Sequence, residues 1–124
     1  MWLFTKYGYF SAVCAREGSG RRSDPVDEST IAVRARSLQH LQSLLSRFAG
    51  ELGSPEIKTY VGTDYQYRVF VTKANWRRVL DAVAAELDYD NFKGEVEKSE
   101  GSSKYVDLLH KVWGAVDDAY WSER

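Results

Sequence analysis

Hydrophobic positions along the chain alternate first with a period of two and then with a period near 3.6. Residues 2–5 and 9–15 form two aromatic-rich runs around Gly8, which predicts two short strands joined by a tight turn or one bent strand. The stretch "REGSGRRSDPVDEST" has no apolar period, so residues 17–30 are expected to form a flexible surface loop. "IAVRA" then alternates Ile31, Val33 and Ala35 with Ala32, Arg34 and Arg36, the pattern of a strand with two unlike faces.

Ser37 is placed to cap a helix whose apolar positions are Leu38, Leu41, Leu44, Leu45, Phe48 and Leu52, ended by Gly53 and Pro55. "EIKTYV" and "YQYRVFV" flank "GTD", which predicts a hairpin with a three-residue turn. Thr72 caps a second helix carrying Trp76, Val79, Leu80, Val83 and Leu87. Residues 94–102 are expected to link it to a third helix, begun by Ser102 or Ser103, with Tyr105, Leu108, Leu109, Val112, Trp113, Val116 and Tyr120 on one stripe.

The segment from Ile31 to Leu52 lies over that from Gln66 to Leu87 at an offset of 35 residues, matching Ser37 to Thr72 and Leu45 to Leu80. Two strand-strand-helix units in one sheet make a ββαββα antiparallel arrangement. This is an α+β fold related to the ferredoxin-like one by circular permutation, with two helices on one face and a further C-terminal helix.

Size and composition fit this picture: 124 residues with 44% hydrophobic content suit a single α+β domain with a packed core. Thr5, Lys6 and Gly8 interrupt the opening run, so it does not read as an export signal, and no stretch has the length of a membrane span. Cys14 has no second cysteine to pair with. The expectation is a soluble cytoplasmic protein with no membrane partner. Net charge is −1, but residues 1–22 carry Lys6, Arg16, Arg21 and Arg22 against Glu17, whereas residues 88–124 carry nine acids against five bases. The two ends are electrostatically complementary.

Candidate chemistry concentrates on one sheet face. If the helices cover Ile31, Val33, Val69 and Val71, the opposite face presents Arg34, Arg36, Arg68 and Phe70, with Lys58 and Tyr60 as neighbours. Arginines interleaved with aromatics are the ingredients of single-strand nucleic-acid binding. The competing expectation is that the C-terminal helix lies across this face and pairs its acids with those arginines. "KYGYFSAV" is not an RNA-recognition strand, since Tyr7 and Tyr9 stand where that motif needs small residues, so the opening aromatics read as packing.

"LDYDNFKGEVE" offers Asp88, Asn91 and Lys93 as a polar turn site. Lys93 occupies the position where a calcium loop needs glycine, so these residues read instead as closing the preceding helix. His40 and His110 have no ligand-spaced neighbours, and "EGSGRR" lacks the ending of a phosphate loop. No metal, cofactor or catalytic residue is assigned, and the reading leans away from an enzyme.

"MWLFTKYGYFS", "YQYR" at 65–68, "NFK" at 91–93 and "KVWGAV" at 111–116 together resemble a family of small bacterial proteins with the same opening and the same three later motifs. The resemblance implies a bacterial or phage source and a shared fold, and it carries no activity. The leading expectation is therefore a small module docking a macromolecule, a protein or a second copy of itself. RNA binding through the arginine face is the alternative, and an enzyme with an unrecognised site the third.

Overall fold

Trp2–Thr5 (β1) and Gly8–Arg16 (β2) form an antiparallel hairpin, and β2 pairs in turn with Val26–Ala35 (β3). The computed structural model describes residues 1–18 and 20–124. Helices Leu38–Arg47 (α1) and Ala49–Leu52 (α2) lead to Lys58–Thr59 (β4) and Tyr67–Thr72 (β5). Lys73–Ala85 (α3), Phe92–Glu97 (α4), Ser103–Ala119 (α5) and a 3-10 turn at Trp121–Glu123 follow. The chain divides into two compact units, Met1–Leu87 and Asp88–Arg124.

The first unit holds a five-stranded sheet in the order β1-β2-β3-β5-β4, antiparallel at every pair. Strand β5 lies between β3 and β4, which the α1–α2 connection joins, giving the split arrangement of a permuted ferredoxin-like fold. The β1–β2 segment is two strands, so β1 becomes the edge strand on that side of the sheet.

Side-chain alternation puts Phe10, Ala12, Ile31, Val33, Ala35, Val69 and Val71 on one face, where α1 and α3 cover them. Leu41, Leu44, Phe48, Leu52, Trp76 and Val79 complete this core. Both helices carry a hydroxyl cap close after a strand, Ser37 two residues past β3 and Thr72 as the last residue of β5: Ser37 Oγ accepts from His40 N at 3.3 Å, and Thr72 Oγ1 from Asn75 N at 3.1 Å.

Several expectations change. Strand β3 begins at Val26, inside the stretch expected to be loop. Arg16 pairs with Val26, but a register shift at Cys14/Ala15 leaves residues 28–30 as surplus, and residues 26–29 project exposed or half-exposed polar and apolar groups alike. No apolar period marks such a ribbon. Ser19, in the same expected loop and in "EGSGRR", lies outside the described residues. Strand β4 keeps only two residues, and residues 60–66 form a loop closed by Tyr60 N to Gln66 O at 2.7 Å, longer than the three-residue turn. The first helix breaks at Phe48 (φ −113°, ψ 34°) before resuming as α2.

In the second unit α4 runs into the expected linker, occupying its first four residues, capped by Asn91 Oδ1 on Gly94 N at 3.1 Å and packed along α5. Along α5 the buried residues are Tyr105, Val106 and Leu109, while Trp113, Val116 and Tyr120, expected on the same buried stripe, are exposed. Leu87 lies past the end of α3 and is exposed as well.

The β1–β2 turn is held from below. Gly8 adopts φ +143°, and a Cβ there would stand 2.3 Å from His40 Cγ. Gly8→Ala should therefore cost about 3 kcal/mol or more, combining backbone strain with overpacking. In chemical denaturation, the Gly8→Ala/His40→Ala pair should recover the steric part of that loss relative to His40→Ala alone. A near-neutral Gly8→Ala would place the turn elsewhere.

Candidate binding face of the sheet

Trp2, Ser11, Arg34, Arg68 and Lys58 stand in one row across all five strands, because the registers pair Trp2 with Ser11, Ser11 with Arg34, Arg34 with Arg68 and Arg68 with Lys58. Even-numbered residues of β3 and β5 face away from α1 and α3, so the row lies on the side opposite the core. The next row holds Val13, Ala32 and Phe70. Arg36, one residue beyond β3, and Tyr60, one beyond β4, continue the face.

The cations of this layer rest on rings. Tyr65, buried in the loop before β5, has the guanidinium carbons of Arg34 and Arg36 at 4.7 and 4.9 Å from its ring centroid. The Arg68 guanidinium lies 4.5 Å from the Tyr60 ring, and Lys58 Nζ 5.6 Å from that of Phe70. Arg34 Nη2 donates to Ser11 Oγ at 2.8 Å, and Arg68 Nε donates to the Tyr65 carbonyl at 3.0 Å. Two arginines are thus fixed in place.

Tyr9 extends the layer toward the edge. Its ring stacks on Phe4 with centroids 4.5 Å apart and meets Trp2 edge-on at 6.4 Å, and its hydroxyl lies 2.8 Å from that of Tyr65. Burial, and then the bond to Tyr65, push the Tyr9 phenol up to about 12. It remains a neutral hydrogen-bonding group.

Charge on this face is one-sided. Among the described residues, none of Arg34, Arg36, Lys58 and Arg68 forms a salt bridge. Burial, and after it the repulsion of Arg68, draw the Arg34 pKa below its ordinary value. Asp64 is only the weakest of the opposing attractions. An anion laid on the row would relieve that repulsion.

The structure therefore brings Arg34, Arg36, Lys58, Tyr60, Arg68 and Phe70 onto one face, as the strand parity implies. Asp88, Asn91 and Lys93 do not converge. Asn91 caps α4 instead of closing α3, Lys93 Nζ lies 3.3 Å from His110 Nδ1 and 5.3 Å from the Trp113 ring centroid, and Asp88 adds only a weak attraction for Lys98. Sequence reasoning missed Ser11, Tyr9 and Tyr65. The first two depend on the β2–β3 register, which a long loop and a bulge conceal, and Tyr65 is off the strand alternation altogether. Among the described residues, no three His, Cys, Asp or Glu side chains are grouped to hold a metal. No family model, curated protein or solved structure matches the chain.

His40 supports the Tyr9 end of this layer from the core side, its Nδ1 accepting from Tyr9 N at 3.2 Å, and burial holds its pKa below the ordinary 6.5. A depressed histidine contributes stability that is present above about pH 6.5 and is lost as pH falls through its folded value. Denaturant titrations between pH 7.5 and 5 should show the native protein losing stability relative to His40→Phe as acid is added. Parallel curves for the two would remove His40 as the cause.

Proposed function

We propose that the chain is a binding module whose cationic sheet face receives single-stranded nucleic acid. The observation that carries this reading is the row of Arg34, Arg68 and Lys58, flanked by Arg36, with no carboxylate among the described residues paired to any of them. Guanidinium planes lying over tyrosine rings are pre-oriented for phosphate and for stacking, and Trp2 and Tyr60, 72% and 37% exposed, place free ring surface near either end of the row. Five strands span roughly 19 Å, enough for a few nucleotides of extended chain. A flat sheet has no element to enter a groove, which favours a single strand over a duplex.

Docking of a protein partner is the second reading, favoured by the C-terminal half of α5, where Trp113, Val116 and Tyr120 stand exposed at helical spacing.

Fluorescence anisotropy with a mixed-sequence 16-nucleotide RNA separates the two. Four phosphate contacts predict a slope of log affinity against log salt of roughly −3, or roughly a 50-fold loss between 50 and 200 mM. Arg36→Gln with Lys58→Gln should flatten that slope by about 1.4 without moving the melting temperature, since both side chains are exposed. A slope unchanged in that variant, or no binding at low salt, would set the sheet-face reading aside in favour of protein docking.

A further inference from the structure

We infer that β1 is a self-association edge, on which a second copy of the chain adds its own β1 antiparallel about a two-fold axis through Leu3. This inference is independent of what the cationic face binds.

The geometry begins with the inner side of β1. Met1 N donates to Ala12 O at 3.0 Å and Ala12 N to Met1 O at 2.9 Å, so Met1 and Ala12 form a hydrogen-bonded pair. Alternation along an antiparallel ladder then makes Leu3–Phe10 and Thr5–Gly8 hydrogen-bonded pairs as well, and it turns the backbone N–H and C=O groups of Trp2 and Phe4 outward. Strand β1 is the end of the sheet, so those two donors and two acceptors have no strand to meet.

A second copy must satisfy two separate demands. Side chains directly opposite must share a face, and the outward groups of Trp2 and Phe4 must meet outward groups on the other copy. Pairing Trp2 with Phe4 of the second copy, and Leu3 with its equivalent, meets both at once and closes four backbone hydrogen bonds. The same register lays the exposed Trp2 ring beside the Phe4–Tyr9 stack of the other copy, on the cationic side of the sheet. Cross-strand aromatic pairs of this kind stabilise sheets.

The edge also lacks the usual protections. Between Trp2 and Thr5 it carries no charged side chain, proline or bulge, the Met1 ammonium is turned inward onto Ala12 O, and Lys6 lies outside the paired stretch. At the opposite edge β4 has two residues, too few to template a second strand, so association closes at two copies instead of propagating. A four-residue edge covers much less than the roughly 800 Å² per partner of a standard interface, which suits a dimer that forms at roughly 10–100 µM. The product is a ten-stranded sheet in which the two copies of Arg34 stand about 24 Å apart on one continuous face.

Sedimentation velocity on the full chain from about 5 to 500 µM should show a concentration-dependent monomer–dimer shift. Trp2→Pro removes an outward N–H while sparing the inner ladder, and Trp2→Lys places charge on the edge. Both should remain monomeric to at least tenfold higher concentration, with melting temperature preserved. In a Cys14→Ser background, Leu3→Cys should form a disulfide dimer under mild oxidation, because a non-hydrogen-bonded pair brings its Cα atoms to about 4.5 Å, within disulfide reach. Trp113→Ser with Tyr120→Ser should leave the dimer intact. A wild-type chain monomeric at 500 µM, a dimer unaffected by Trp2→Pro and Trp2→Lys, or one abolished by the α5 variant would overturn the inference.

Discussion

Arg34 and Arg68, at the centre of the cationic layer, share a face through the register between β3 and β5, in which Val33 stands opposite Val69 and Arg34 opposite Arg68. Slipping one strand by a single residue would carry an arginine into the volume now filled by valine. An uncompensated guanidinium there would cost several kcal/mol, far more than the slipped pairing could return. The apolar side of the sheet thus enforces the order of the charged side. Ser37 and Thr72 add a second constraint, since each begins its helix within two residues of a strand's end and so sets the phase with which Leu41 and Trp76 meet the sheet.

The charged side is tolerated because its cations are shared with rings, which offset part of the hydration that burial takes from Arg34. An arginine over an aromatic face retains part of its hydration and gains roughly 0.5–2 kcal/mol from the ring. Three guanidiniums can therefore gather around Tyr60 and Tyr65 with no carboxylate partner among the described residues. What remains is mutual repulsion, and Ser11 and the Tyr65 carbonyl prevent Arg34 and Arg68 from swinging apart to reduce it. A surface held in this way meets an anion without first having to reorganise, which favours rapid capture.

Much of this was legible in the residues. Alternation in "IAVRA" and "YRVFV" is enough to assign both faces of the central strands, and Trp76 lies in the core at 4% exposure because its helix repeats the stripe that follows Ser37. Alternation fails where burial does. Residues 26–30 form a strand without a buried face to mark them, and β4 is too short to carry a period. Helical spacing misled in the opposite sense: the stripe on α5 continues past Leu109 through Trp113 to Tyr120, yet only its first half is buried. A periodic apolar stripe shows which side chains share a side, and it does not show how far along the helix something covers them. Asn91 illustrates the same ambiguity in a turn, where a residue that can end one helix begins the next.

One contact bears on how the first unit is made. The hydroxyl of Tyr7 donates to Glu86 Oε2 at 2.5 Å, across 79 residues of sequence, while Arg47 pairs with the other oxygen of the same carboxylate. The β1–β2 turn, the end of α1 and the end of α3 are joined through that one side chain. On a ribosome releasing the chain from its N-terminus, the hairpin and α1 emerge long before Glu86 does, so their closing partner arrives last. Contacts of such long sequence separation slow folding. The nascent hairpin, with its apolar edge already out, must wait for the end of α3 before the three segments can be locked together.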